Sequence, residues 1–391
     1  MIYLDHNATT PLAPEVRAAM LPFMEQGFGN PSSRYELGVR AKEAVETARA
    51  HVAALINADP AEIIFTSGGT ESNNHAIKGV ADQFMGQKNH MITTKIEHPA
   101  ILEPMLYLLT NHGWDVTFLP VNSRGVVDPE DVARAVKPGT ALISVMHANN
   151  ETGVIQPVEE IGALAREKGV LFHTDAAQSA GKIPVDAQAI NADLLTLAGH
   201  KLYSPKGVGA LYVRTGTPIM PFMHGAGQET GRRAGTENVI LDVALGEGCR
   251  LAREGFETHV RTMRATRDRL RQKLSEAVEE LVIFGAPEPA LPNTLFVSFP
   301  GVPGADILDE IPELCASTGA ACHDSQVRLS HVLEAMGVDE RVGKGAVRLT
   351  TGRSSVIDDM DFAAQKLAEA YQRLLAGART AQPLAQRGAQ A

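Results

Sequence analysis

Cysteine is scarce in this chain: three residues in 391, at positions 249, 315 and 322. So sparse and odd a set excludes a disulfide framework and fits a reducing compartment, so a cytoplasmic location is expected. Long apolar runs are missing as well. Nothing approaches the roughly 18 to 20 residues a membrane-spanning helix needs, which excludes that class. The opening stretch MIYLDHNATTPL has no basic segment followed by an apolar one, so no secretory leader is expected. Positive charge is also in short supply. Lys and Arg total 36 against 46 Asp and Glu, a net charge of −10. That balance argues against a nucleic-acid or anionic-membrane partner. What is present, 44% hydrophobic and 21% charged residues, describes an ordinary globular protein long enough for two domains.

Short β-rich runs alternate with helical spacing between about residues 60 and 215. The runs EIIFTS (62–67), HMITT (90–94), DVTFLP (115–120), ALISVMHAN (141–149), VLFHTDA (170–176) and ADLLTLAG (192–199) are continuously apolar. That pattern marks strands covered on both faces. Alternation with helices, such as the one placing Ile161, Leu164 and Ala165 on one face, implies an α/β fold with a mainly parallel sheet between helices. A long amphipathic helix is expected over 35–56, with Val39, Val45, Val52 and Leu55 inward. Beyond about residue 238 the texture becomes α+β. A charged helix is expected over 259–281, strands over 293–299 and 346–351, and a closing helix over 358–375. The final ARTAQPLAQRGAQA has few bulky apolar groups and is expected to be unstructured.

In open α/β sheets, ligands sit beyond the carboxyl ends of the strands. Reading those ends in order collects the chemistry. After 62–67 comes Gly68-Gly69-Thr70, opening a helix whose free N–H groups suit an anion. Glu97-His98 follows the second run, Asn149 and Asn150 the fourth, Asp175 and Gln178 the fifth, and His200-Lys201 the sixth. An Asp or Lys at the end of a buried strand costs desolvation unless it is paired or used. An amine for a Schiff base, a carboxylate for a pyridine nitrogen and a phosphate cup are the parts pyridoxal phosphate requires. Each appears once, at successive strand ends. Lys206 is the competing amine, in a loop after Pro205.

The motifs YLDHNATTP (3–11), GNPSS (29–33), TSGGTESNN (66–74), HANNETGVIQP (147–157), HTDAAQSAGK (173–182), GHKLYSPKGVGALYV (199–213), GRRAGTEN (231–238) and VRLTTGR (347–353) resemble the cysteine desulfurases. These belong to the class V aminotransferases, pyridoxal-phosphate enzymes of fold type I. The resemblance runs in order along nearly the whole chain. It implies a large domain over 14–257 with a seven-stranded, mainly parallel sheet. It also implies a smaller α+β domain from 1–13 and 258–376 that carries the cysteine loop, and a tail over 377–391. By the same resemblance Lys201 is the Schiff-base lysine, Asp175 pairs the pyridine nitrogen, Gln178 bonds the phenolic oxygen and His98 stacks on the ring. Gly69, Thr70 and His200 belong to the phosphate cup, joined by Thr236 from the partner subunit of a homodimer. Asn30 and Asn150 lie near substrate, and Arg348 takes its carboxylate, a role suited to a bidentate guanidinium. No metal site is expected. Ala198 departs from the family, where many relatives carry a phosphate-binding Ser.

Desulfuration needs a second nucleophile, and CASTGAACHDS (315–325) holds two cysteines. Cys322 follows small residues in an expected loop and by the resemblance carries the persulfide. Cys315 abuts an apolar run and is expected to be buried, as is Cys249 on a helix. L-Cysteine is the implied substrate. His323 after Cys322 is similar to selenocysteine lyases, which makes L-selenocysteine the alternative, while a plain aminotransferase would leave Cys322 idle. The implied acceptor is a protein such as an iron–sulfur scaffold.

Overall fold

The structure is a computed structural model. It describes the backbone of residues 1–285, 287–318, 320–323 and 326–385, with side chains described except at 320–328 and 378–385. A seven-stranded sheet forms its centre. Its strands are Ile63–Thr66 (β1), His90–Thr94 (β2), Asp115–Leu119 (β3), Thr140–Ser144 (β4), Leu171–Asp175 (β5), Leu194–Ala198 (β6) and Gly209–Val213 (β7). The spatial order is β1-β7-β6-β5-β4-β2-β3. All neighbours are parallel except β7, which runs antiparallel to both β1 and β6.

Alternate residues of each strand enter different cores, as the pleat requires. Ile63, Phe65, Leu195 and Tyr212 pack on one face, whereas Ile64, Leu194, Leu211 and Val213 pack on the other. Helices cover both faces, so β-strands with unbroken apolar sequence are buried throughout. The helix Glu36–Leu55 matches its expected span, but Val39 is 43% exposed. The buried stripe is Ala41, Val45, Ala48 and Val52, the i, i+4, i+7, i+11 rows; Val39 lies six residues before Val45 and so off that face. The fourth run stops as a strand at Ser144. It still follows its neighbour, with Val145 N–H bonding the His173 carbonyl and His147 N–H that of Asp175.

A second core gathers around Leu295, Val297, Val347, Leu349 and Leu367, with Leu4 from the N-terminus. Its four-stranded sheet includes Thr294–Ser298 and Ala346–Thr350 paired antiparallel. The helices Phe256–Ala277 and Ile357–Ala385 cover it. The tail expectation is corrected in part: the backbone stays helical through Ala385, and residues 386–391 lie outside the described part. The N-terminal segment ties the two cores together. Its Ile2–Tyr3 strand runs parallel to Leu314–Cys315. Farther along, Thr10 donates its hydroxyl to the His200 carbonyl beside the large sheet.

Candidate active site

The carboxyl ends of β1, β2, β4, β5 and β6 open into one cleft of about 390 Å³. It brings together Gly69, Thr70, His98, Asn150, Asp175, Gln178, His200, Lys201 and Arg348. Nine of the site residues expected from sequence thus share a single cavity. Lys206 is exposed and does not line it.

Lys201 ends the short turn Gly199–Lys201 that follows β6. Its Nζ donates to the carbonyls of Asn7 and Ala8, the latter at 2.7 Å, so the N-terminal segment closes over the amine. Burial, reinforced by the nearby Arg348 guanidinium, lowers its pKa to about 8. An amine so poised is partly neutral near physiological pH and able to act as a nucleophile or base.

Asp175 terminates β5 and is 8% exposed. Its carboxylate accepts from Asn73 Nδ2 at 2.7 Å and from the Ala177 N–H at 2.9 Å. Asn73 lies on the helix Gly69–Gln83, one turn in from Gly69 and Thr70. That helix starts after Gly68, whose φ of +150° is a conformation that L side chains rarely adopt, and no side chain caps it. Its first N–H groups therefore remain available at the cleft. A β-carbon at Gly69 would come within 3.3 Å of Ala198 Cβ, so the helix end and the β6 end approach closely.

His98 is the N-cap of the helix Pro99–Asn111, with Nδ1 accepting from the Ala100 N–H at 3.1 Å. Desolvation in the cleft lowers its pKa, and His200 is pushed down to about 4 by desolvation and the adjacent Lys201. The imidazoles are neutral at pH 7 and can stack or accept. Behind His98, Glu97 is fully buried. Its Oε1 accepts from Thr94 Oγ1 at 2.8 Å and the Met146 N–H at 3.0 Å, and burial raises its pKa to about 8.

Arg348, on Ala346–Thr350, is 9% exposed. Its Nη2 donates to Asp5 Oδ1 at 2.8 Å and its Nη1 to the Asn150 carbonyl at 3.1 Å. Nε has no partner among the described residues. The guanidinium is thus held in place yet keeps donor capacity.

Two expected site residues lie elsewhere in this chain. Asn30 sits in an exposed loop, its Oδ1 accepting from the Ser32 N–H. Thr236 lines a separate cavity with Arg233 and Asp242. The cysteines divide. Cys249 is fully buried, and burial pushes its thiol far up. Cys315 is only partly buried, on a two-residue strand that pairs with Ile2–Tyr3. Cys322 belongs to a ribbon rather than a loop: Ala320–His323 pairs antiparallel with Gln326–Leu329, and the Cys322 and His323 side chains lie outside the described ones. Among the described residues no group of three or more His, Cys, Asp or Glu could hold a metal, and no helix is long and apolar enough to cross a membrane.

Asp5, Asn7 and Asn73 are the participants that sequence reasoning missed. The first two sit inside YLDHNATTP and the third inside TSGGTESNN, so the signal was present. For Asn73 it was the helical spacing from Gly69. For Asp5 and Asn7 only the tertiary pairing reveals the role.

Comparison with known proteins agrees with this geometry. The pattern of the family described as "Aminotransferase class-V" matches residues 2–361. A cysteine desulfurase IscS of Dictyoglomus turgidum is 42% identical over 375 residues, covering 95% of each chain. A mitochondrial cysteine desulfurase of Arthroderma benhamiae is 46% identical over 373 residues, 94% of this chain and 74% of that one. Among solved structures, a NifS-like protein superposes with a TM-score of 0.88 at 38% identity, covering 94% of this chain and 98% of its own. A structure described as SspA in complex with cysteine superposes with a TM-score of 0.79 at 36% identity, covering 91% and 100%. With the family pattern spanning nearly the whole chain and the strand-end site in place, the protein belongs to the class V aminotransferase family, of PLP fold type I.

Proposed function

We propose that the cleft binds pyridoxal 5′-phosphate and that the protein is a cysteine desulfurase, converting L-cysteine to L-alanine with the sulfur retained as a persulfide on Cys322. The observation that carries this reading is the convergence, in one cleft, of Lys201 with its lowered proton affinity, Asp175 locked by two donors, and Arg348. The named relatives support it, since two are cysteine desulfurases and one solved structure is described with cysteine. No observation favours the selenocysteine alternative over cysteine.

The residues present fit the cofactor. The uncapped helix end at Gly69, with Thr70 and His200, offers donors to a phosphate. Asp175 offers a carboxylate to a pyridinium N–H, Gln178 an amide to a phenolic oxygen, and His98 a neutral ring face. Lys201 supplies the amine that anchors the group. When bound, pyridoxal phosphate supplies an electron sink that acidifies the Cα–H of an attached amino acid.

The chain's own residues do the rest. Arg348 and Asn150 orient the substrate, Arg348 through its carboxylate, and Asn30 contributes from its loop. Lys201 Nζ takes the Cα proton and passes it on. Cys322, as thiolate, takes the substrate sulfur: the Cβ–S bond breaks and an S–S bond forms. Net, L-cysteine and a protein thiol become L-alanine and a protein persulfide, which balances atoms and electrons. The persulfide then serves an acceptor protein such as an iron–sulfur scaffold.

The reading includes a cytoplasmic homodimer in which Thr236 of one subunit completes the site of the other. It also includes a division into domains near residue 257, for which the separate cores are the support. The test is to reconstitute the purified protein with pyridoxal phosphate, add L-cysteine or L-selenocysteine in parallel, and quantify alanine with sulfide or selenide. Alanine from cysteine, lost in Cys322→Ala, is expected. A keto acid in place of alanine would make the protein an aminotransferase and overturn the reading.

A further inference from the structure

Lys182 is 5% exposed, a rare state for a lysine with no carboxylate partner among the described residues. Its Nζ donates instead to two neutral amides, Asn7 Oδ1 at 2.9 Å and Gln178 Oε1 at 3.0 Å. An apolar side chain of the same length would fill this space without the desolvation cost. What the amine adds is direction. Burial and the nearby Lys201 and Arg348 hold its proton affinity well below that of an ordinary lysine, yet the amine donates to both neighbours, so each turns an oxygen to it.

That constraint acts on the orientation of both amides together with their other partners. With Oε1 of Gln178 turned to Lys182, its NH2 group points the other way. One N–H bonds the Asn7 carbonyl at 3.0 Å, the same carbonyl that receives Lys201, and the second is left for the cleft that Gln178 lines. Asn7 is fixed likewise. Its Oδ1 accepts from Lys182 and from Asn293 Nδ2 at 3.0 Å, and its NH2 donates to Thr294 Oγ1 at 3.0 Å and the Asn150 carbonyl at 3.2 Å. Without Lys182, Gln178 Oε1 loses its donor, and only the Asn7 carbonyl is left to hold the amide in this orientation.

We infer that Lys182 is a positioning residue: it fixes the amide of Gln178 so that an N–H, and not a carbonyl, faces the phenolic oxygen of the bound cofactor. This rests on the pyridoxal-phosphate reading above. A donor to that oxygen stabilises its deprotonated form. The visible absorption band of the bound cofactor reports that ionisation as pH is varied, independently of turnover.

The test titrates the band in the reconstituted protein. Lys182→Met should raise the midpoint by about one pH unit, the scale of one lost charge-assisted hydrogen bond. Gln178→Leu should raise it as much, and the double variant no further, because both act through one N–H. Lys182→Gln keeps an N–H donor and should stay nearer the wild type, which preserves the test if the Met variant does not fold. A wild-type midpoint in Lys182→Met, or additive shifts in the double variant, would overturn the inference. Absence of any visible band in the reconstituted wild type would instead sink the cofactor reading on which it stands.

Discussion

On the sheet wall of the cleft, side chains stand at strand termini, and several are held in part by near neighbours, although Lys201 reaches the Asn7 and Ala8 carbonyls and Asp175 reaches Asn73. Asp175 accepts from the N–H two residues on, as does His98, and Glu97 accepts from Thr94 three residues before it. On the facing wall, contacts run between the N-terminal segment, the second core and the Asn150 loop. Asp5 meets Arg348, the Asn7 N–H meets Thr350 Oγ1 at 3.0 Å, and Asn7 Nδ2 meets Thr294. The sheet wall is therefore set largely by topology and, on the proposed reading, carries the groups for bond chemistry. The facing wall is set by how the N-terminal segment crosses the second core and, on the same reading, carries the group for recognition.

If the walls divide the work in this way, substitutions should separate in the kinetics. The largest effect is expected on the sheet wall. Lys201→Ala should lower alanine formation from cysteine by about 10³-fold or more, since it removes the base at Cα. Cofactor binding should persist more weakly. Turnover within tenfold of wild type would refute the assignment of the base. On the facing wall, Arg348→Ala should reduce kcat/KM by roughly 10²-fold, mostly through KM, because a bidentate partner of the substrate carboxylate is lost. A fall confined to kcat would place Arg348 in the chemistry and erase the contrast.

A third change probes what the sheet wall costs. Glu97 has its folded pKa raised to about 8 from the ordinary 4.5, with desolvation the main cause. A carboxyl raised in this direction contributes its full stability below the unfolded pKa and loses it as pH climbs toward the folded one. Between pH 4.5 and 8 the unfolded state is therefore increasingly favoured. Glu97→Gln keeps the Oε1 acceptor for Thr94 and Met146 and removes the titration. It should stabilise the protein by on the order of 2 kcal/mol at pH 8 and by little at pH 5 in denaturant melts. KM for cysteine should not move. A variant less stable at both pH values would mean that the carboxyl proton is itself needed.

The same contrast explains what the sequence revealed. Strand ends of the large sheet could be read because an apolar run announces each strand, and its next polar residue falls at the carboxyl edge. Asp175, His98 and Lys201 were found in that way, and their shared cleft follows from the parallel order. Arg348 needed the family resemblance, because no local pattern says that an arginine in VRLTT faces a strand end two hundred residues earlier. Asp5 and Asn7 were invisible for the same reason, and so was the Asn7 partner of Lys182: these contacts are set by the crossing of the chain's ends. Val39 escapes local periodicity, because its six-residue step falls off the helix face. The apolar neighbours of Cys315 suggest burial, although it is only partly buried.

The smallest expected effect lies where the walls meet. On the proposed reading Lys201 captures the aldehyde of pyridoxal phosphate only as the neutral amine, so capture by the cofactor-free protein should accelerate about tenfold per pH unit and level off above about 8. Arg348 lowers the amine's proton affinity, while Asp5 raises it. Asp5→Asn removes that negative charge and leaves Arg348 in place, since an amide oxygen can still accept from Nη2. The midpoint of the capture profile should then fall by about half a pH unit, a fraction of the roughly 1.4 kcal/mol that one unit represents. The direction is the informative part. Once Asp5 is neutral, desolvation and the Arg348 charge are opposed by Asp175 alone, so the amine becomes free at lower pH. KM for cysteine should fall about twofold in the same variant, because the substrate carboxylate no longer displaces an anion from the guanidinium. A midpoint that rises instead would show that Asp5 acts by holding Arg348 close to Lys201 and not by its own charge, and the two walls would then be one electrostatic unit.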